Sequence, residues 1–206
     1  MNFANQLTLL RVVSSAFFFL VYSAMPLFGV EPFTIALLLL GLLILLETTD
    51  ALDGYVARRL GQVTDLGKVL DPMADGVART TVLLAFTQDP VCLPTWLVLP
   101  FLYRDAMTAT LRIVCAWRGI ALGARSSGKI KAIVQAVAAF FVILLMLLHA
   151  QGLLSKELLS QIAASAIAIS AAYAVGSAAE YLIALRHQLR ALMGTPAQSS
   201  PAALLE

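Results

Sequence analysis

Long apolar runs alternate with short polar breaks along this chain, and the runs set its architecture. Six of them, at about 9–28, 33–54, 66–87, 92–113, 130–150 and 158–185, are long enough for a helix to cross a bilayer, which takes about 20 residues. Pro26, Gly29 and Pro32 separate the first from the second, Asp89 and Pro90 the third from the fourth, and Gly152 with Ser155 the fifth from the sixth. The pattern predicts an all-α integral membrane bundle of six transmembrane helices. Residues 2–8 are predicted to form a short interfacial helix leading into the first span, with a frayed terminus as the alternative. From Gly194 onward, Thr195, Pro196, Ser199, Ser200 and Pro201 predict a disordered tail over 194–206. That leaves 1–193 as a single transmembrane domain. No internal repeat is visible.

Composition agrees with the pattern. Hydrophobic residues make up 60% of the chain and charged residues 13%, with a mean hydropathy of +0.88. A soluble domain has roughly 45–50% apolar and about 25% charged residues. Met1 to Arg11 is polar with one basic residue and no cleavage site follows, so the first run is expected to be retained as a span. Cys92 and Cys115 have neither ligand-like nor disulfide-like spacing and read as small packed residues. His149 and His187 flank helix ends and read as interfacial.

Lysine and arginine placement gives the orientation. Arg58, Arg59 and Lys68 lie between the second and third runs. Arg112, Arg118, Arg125, Lys129 and Lys131 lie between the fourth and fifth, and Arg186 and Arg190 follow the sixth. The opposite connections carry only Lys156. Both termini are therefore expected on the cytoplasmic side of a cell's inner membrane. The bilayer is the expected partner surface, and no nucleic acid is expected.

One polar segment stands out against this background. Between the second and third runs lie Asp50, Asp53, Asp71 and Asp75, with Gly54, Ala57, Arg58 and Gly67 among them. On a helix Asp50 and Asp53 share a face, and Gly54, Ala57 and Arg58 continue that side. Gly67, Asp71 and Asp75 recur every four residues on the next helix, so antiparallel packing of the two lets the carboxylate pairs converge. Like charges that close raise one another's pKa unless cations balance them, and unbalanced charge in lipid is costly. Hard oxygen-ligand cations, Mg²⁺ or Mn²⁺, answer that need. Two such ions could clamp a pyrophosphate and leave one carboxylate as a base. Gly54 and Ala57 bare the helix surface for a nucleotide or phosphate, or else serve close helix packing. Arg58 offers a fork for phosphate, or else anchors the helix on the basic side. Pro72 removes one backbone hydrogen bond beside Asp71, tolerable where backbone lines a cavity. Glu47, one turn before Asp50, is either an outer partner of a cation or a partner of Arg79 or Arg104.

The run Asp50-x2-Asp53-Gly54-x2-Ala57-Arg58-x8-Gly67-x3-Asp71-x3-Asp75 resembles the signature of the CDP-alcohol phosphotransferases, with every defining position at the family spacing. The resemblance implies an integral enzyme that moves a phosphatidyl group from CDP-diacylglycerol to an alcohol and releases CMP. By carry-over, Asp50, Asp53, Asp71 and Asp75 hold the metal ions and Asp75 is the general base. Gly54, Ala57, Arg58, Gly67 and Thr64 line the CDP site, and Asn5 with Thr8 belong to the donor-contacting N-terminal stretch. A homodimer is also what the resemblance suggests.

The segments Asn5–Arg11, Arg58–Lys68, Leu70–Asp75 and Ser127–Lys131 with Gln135, and the eight-residue separation of Arg104 and Arg112, are similar to bacterial phosphatidylglycerophosphate synthases. They imply glycerol 3-phosphate as acceptor, with Arg112, Lys129 and Lys131 at its phosphate. The departures are Gly76 where Lys is usual, Asp105 for Glu and Ala109 for Ser. They leave inositol or inositol phosphate open as the acceptor. A divalent-cation transporter would also use the four aspartates. The outer halves of the spans are too uniformly apolar for an ion path, and Gly54, Ala57 and Arg58 would have no role there.

Overall fold

The computed structural model describes residues 3–59, 65–117 and 126–194. Six α-helices make up nearly all of it: α1 Phe3–Ala24, α2 Pro32–Arg59, α3 Asp65–Ala85, α4 Leu99–Trp117, α5 Ser126–Ala150 and α6 Lys156–Gly194. No strand occurs among the described residues. Two glycines end apolar helices in the left-handed conformation that a side chain disfavours. Gly29 (φ 71°) follows the 3-10 turn Met25–Phe28 after α1. Gly152 (φ 76°) closes α5, donating its N–H to the His149 carbonyl at 2.9 Å.

Among the described residues, four stretches are long and apolar enough to cross a membrane: Thr8–Phe28, Pro32–Asp50, Ile130–Ala150 and Lys156–Ala184. Helices α3 and α4 are more polar because each turns a charged stripe inward. Arg79 on α3 is buried, and Arg104 and Asp105 on α4 are largely so. The outward faces of both helices are apolar, with Met73, Val77, Leu84, Leu99 and Leu102 exposed.

Two boundaries differ from the sequence reading. The fourth run was expected to be helical from residue 92, yet α4 begins at Leu99. Val91, Leu93 and Leu97 in the preceding turns are buried in the core, so buried loop residues lengthened the apparent run. Pro94 and the 3-10 turn Thr95–Leu97 hold that segment out of the helix. At the N-terminus, α1 runs unbroken from Phe3; the expected interfacial helix is its first turns rather than a separate element. The expected tail begins at Gly194, which is the last residue of α6; 195–206 lie outside the described residues.

The helices close a ring. α1 packs against α2 and α3, α2 against α5, α5 against α6, α6 against α4, and α4 against α3. Sequence reading had paired α2 directly with α3. Among the described residues α1 packs against both, and α2 and α3 meet through side chains at their polar ends. One half of the ring is filled by a continuous apolar core. It includes Phe18, Tyr22, Leu39, Leu83, Phe86, Phe101, Val142, Ile143, Leu159 and Ile167. Phe86 meets Phe18 and Tyr22 edge to face, with ring centroids 6.2 and 6.1 Å apart, an arrangement that adds about 0.5–1.5 kcal/mol per pair to their burial. This core anchors the other half, where the charged residues gather.

Candidate active site

The transition from core to site is made within α2. Leu43 and Leu46 are buried among the apolar side chains, and Thr48 and Thr49 then return their hydroxyls to the backbone. Thr48 bonds the Ile44 carbonyl at 2.6 Å and Thr49 that of Leu45 at 2.8 Å. These bonds satisfy the hydroxyls within the helix. One turn of the same helix then presents Glu47 and Asp50 inward, toward Asp75 and Arg79 from α3.

Arg79 is the centre of this group. Its side chain is only 8% exposed, and all five of its N–H bonds are used. Nε donates to Asp75 Oδ1 at 2.7 Å. Nη1 donates to Glu47 Oε1 at 3.0 Å and to the Ala132 carbonyl of α5 at 3.1 Å. Nη2 donates to Glu47 Oε2 at 3.1 Å and to Asp50 Oδ2 at 3.3 Å. A guanidinium has five donors in a fixed plane, and here each has an acceptor. Three helices are tied by one side chain. Glu47 is held end-on by two parallel bonds, the strongest form of such a pair. Each aspartate is held by one.

Asp50 has a second cation. Arg11 Nη1 of α1, 3% exposed, lies 3.0 Å from Asp50 Oδ1. Arg11, Glu47, Asp50, Asp75 and Arg79 line a small open cleft, together with Leu43, Leu46, Ala78 and Val82. Asp50 and Asp75 face it about one-third exposed. Beyond Arg79 lies a second, small cavity of about 20 Å³, bounded by Leu43, Glu47, Arg79, Val82, Leu83 and Gln135, with two alanines. Gln135 is 2% exposed, and neither atom of its amide has a hydrogen-bond partner.

A second charged group sits between α4 and α5. Lys131 is buried, with Nζ 3.0 and 2.9 Å from the two oxygens of Asp105 and 5.8 Å from the Phe101 ring centroid. Arg104 donates to Asp105 Oδ1 at 2.8 Å. Asp105 also closes down the space at Gly76, where a Cβ would come within 3.3 Å of the Asp105 Cβ.

The residues singled out by sequence fall as follows. Asp50 and Asp75 are brought to one guanidinium. Thr8 is buried on α1, Arg112 is half-buried on α4, and Lys131 is engaged by Asp105. Asp53, Gly54, Ala57 and Arg58 lie on α2, Gly67 and Asp71 on α3, Asn5 on α1 and Lys129 on α5; their side chains lie outside the described residues, as does Thr64 altogether. Among the described residues, no three metal-binding side chains meet as a ligand set. The donor chemistry nonetheless fits a hard divalent cation. Glu47, Asp50 and Asp75 are oxygen donors that outnumber Arg11 and Arg79, and the two aspartates open onto the cleft.

A family model described as CDP-alcohol phosphatidyltransferase matches residues 1–179, which takes in α1 through most of α6. The chain belongs to the CDP-alcohol phosphatidyltransferase family. Among its relatives, a CDP-diacylglycerol–glycerol-3-phosphate 3-phosphatidyltransferase of Sodalis glossinidius is 31% identical over 195 residues, 92% of this chain and 97% of that protein. One of the same name from Bacillus subtilis is 35% identical over 144 residues, 66% of this chain and 74% of that protein. A third, from Treponema pallidum, is 38% identical over 109 residues, and there the match spans half of the relative's length.

The chain carries two site residues whose place the sequence did not fix. Glu47 turns out to pair with Arg79, one of the alternatives open for it, and Arg79 itself is the hub. One signal was available: Arg79 stands four residues after Asp75, the spacing of a helical ion pair. The pairing with Glu47, 32 residues away, depended on the tertiary fold.

Proposed function

We propose that this protein transfers the phosphatidyl group of CDP-diacylglycerol to a hydroxyl of glycerol 3-phosphate, releasing CMP and giving phosphatidylglycerol phosphate. The observation that carries the reading is the convergence of Asp50 and Asp75, from the two ends of the signature, on one buried guanidinium beside an open cleft. The relatives named for this reaction, one of them matched over nearly its whole length, support the choice of acceptor.

In this reading Asp50, Asp53, Asp71 and Asp75 would hold two Mg²⁺ or Mn²⁺ ions. Bound there, such ions supply charge neutralisation at the pyrophosphate of the donor. Asp75 takes the proton of the attacking hydroxyl. Gly54, Ala57 and Gly67 let the nucleotide approach the backbone, and Arg58, Thr64, Asn5 and Thr8 contact the donor. Arg112 and Lys129 face the acceptor's phosphate, with Lys131 beside them sharing its charge with Asp105. The catalytic unit is 1–193, its six helices all cross the inner membrane, and its polar end and both termini are cytoplasmic. The assembly suggested by the resemblance is a homodimer.

CMP release by the detergent-purified protein tests this, with CDP-diacylglycerol, Mg²⁺ or Mn²⁺, and one acceptor at a time. Release that requires glycerol 3-phosphate is the expected result. Release with inositol, inositol phosphate or serine, and none with glycerol 3-phosphate, overturns the acceptor. Silence with all of them overturns the reaction.

A further inference from the structure

Arg79 lies between two spaces. On one side is the cleft onto which Asp50 and Asp75 open; on the other is the cavity bounded by Glu47 and Gln135. Its bonds are unequal in kind. Glu47 grips two N–H groups in parallel, while Asp50 and Asp75 each take one, the Asp50 bond being the longest of the set at 3.3 Å. Across the second cavity, the buried Gln135 holds a carbonyl oxygen with no donor to meet it. A buried amide without a partner costs about 1–3 kcal/mol.

From this geometry we infer that Arg79 is a displaceable counter-cation, pivoting on Glu47 away from Asp50 and Asp75 toward Gln135 when divalent cations reach the two aspartates. The inference rests on the proposed reading that those aspartates hold cations. The electrostatics explain why a pivot is needed. Two acidic groups brought together in a partly buried site need a positive partner, and Arg79 supplies it in the structure as it stands. A divalent cation at the same oxygens would then face a guanidinium of like charge a few ångströms away, a repulsion of several kcal/mol at an effective dielectric near 20. Glu47 neutralises the guanidinium in either position. The small cavity lies on the side to which it turns, and the Gln135 carbonyl there offers an acceptor for the N–H groups released by the aspartates. Arg79 on this view competes with the metal, and Glu47 and Gln135 relieve the competition. All three act through Asp50 and Asp75, which makes them positioning residues.

The opposite role, Arg79 as a fixed brace that organises the aspartates for metal, predicts effects of the opposite sign. The test is Mn²⁺ binding to the full-length protein in detergent, read from the loss of the free-ion electron paramagnetic resonance signal, independently of turnover. Glu47→Gln removes the carboxylate that anchors Arg79, leaving the two aspartates as its only charged partners, and is expected to weaken Mn²⁺ binding roughly tenfold or more, the scale on which outer partners tune metal sites. Gln135→Leu is expected to weaken it by a smaller factor. The double variant Glu47→Gln with Arg79→Met removes both competitor and anchor, and is expected to bind at least as tightly as the natural chain. It also deletes the Glu47–Arg79 pair as a unit, leaving Asp50 to Arg11 and Asp75 to the incoming cation. Glu47→Gln binding as tightly as the natural chain overturns the inference, and so does a double variant as weak as Glu47→Gln alone. Absence of Mn²⁺ binding by the natural chain overturns both the inference and the cation reading beneath it. Normal Mn²⁺ binding that is indifferent to Glu47 overturns the inference alone.

Discussion

Lys131 of α5 and Asp105 of α4 face each other with both carboxylate oxygens within 3.0 Å of the ammonium. Neither is more than 12% exposed. Asp105→Asn therefore strands a buried ammonium, and breaking such a pair from one side costs about 3–5 kcal/mol. The expected outcome is a marked fall in the thermal unfolding temperature in detergent. Replacing both together, Lys131→Met with Asp105→Asn, is expected to recover part of that loss, because the buried ammonium goes with its partner and only the Arg104 guanidinium is left without its carboxylate. A single variant as stable as the natural chain would show that the pair is exposed in solution.

Position 76 gives a second stability prediction by contrast with position 41. A Cβ at Gly41 meets nothing within 4 Å, whereas one at Gly76 comes within 3.3 Å of the Asp105 Cβ. Asp105 is pinned by Lys131 and Arg104 and has little room to give. Both glycines lie within helices, where Ala is intrinsically better by about 0.8–1 kcal/mol. Gly41→Ala is expected to raise stability by up to that amount. At Gly76 the contact outweighs the gain, and Gly76→Ala is expected to lower stability by about 1 kcal/mol. Parallel thermal melts of the two variants check the difference in sign.

Asp75→Asn keeps the shape of the side chain and removes its capacity to take a proton. Turnover is expected to fall by about 10²–10⁴-fold, with binding of CDP-diacylglycerol largely intact. Single-turnover CMP release beside a donor-binding assay separates the two. Normal turnover in this variant would end the assignment of Asp75 as base.

Arg11 tests the contribution of α1 to the site. Its Nη1 holds Asp50 Oδ1 at 3.0 Å from a buried position, fixing the carboxylate from the side opposite Arg79. Arg11→Met is expected to reduce CMP release roughly tenfold, the usual scale for losing the partner of a metal-site carboxylate. The apparent Mn²⁺ requirement should change with it. An unchanged metal dependence would show that Arg79 alone holds Asp50.

Removal of divalent cations with a chelator is expected to abolish CMP release, and Mg²⁺ or Mn²⁺ to restore it. Activity that persists through exhaustive chelation would remove the cations from the reaction.

The helices were largely legible in the sequence because lipid imposes a length and an apolarity that few other environments do. The run 130–150 became α5, and 33–54 became α2 with five further residues at its polar end. Helix ends were less legible, because backbone hydrogen bonding continues past the apolar window: α6 runs on to Gly194 through Arg186 and Arg190. The start of α4 was misread because buried loop residues such as Val91 and Leu93 have the same apolar character as a span. In the site, the aspartate spacing was readable, since it follows the helical period. The partnership of Arg79 with Glu47 was not, because residues far apart in sequence carry no local mark of their contact. The order of packing was also hidden. Nothing in the connection between α2 and α3 announces that α1 packs against both.

That ring order has a consequence for biogenesis. Each charged partner of Asp50 arrives from a different moment of synthesis: Arg11 with the first helix to emerge, Arg79 with the third. The last acceptor of Arg79, the Ala132 carbonyl, comes only with the fifth. A nascent chain halted after α4 would therefore hold an incompletely satisfied guanidinium, a mark by which quality-control machinery could tell an unfinished protein from a finished one.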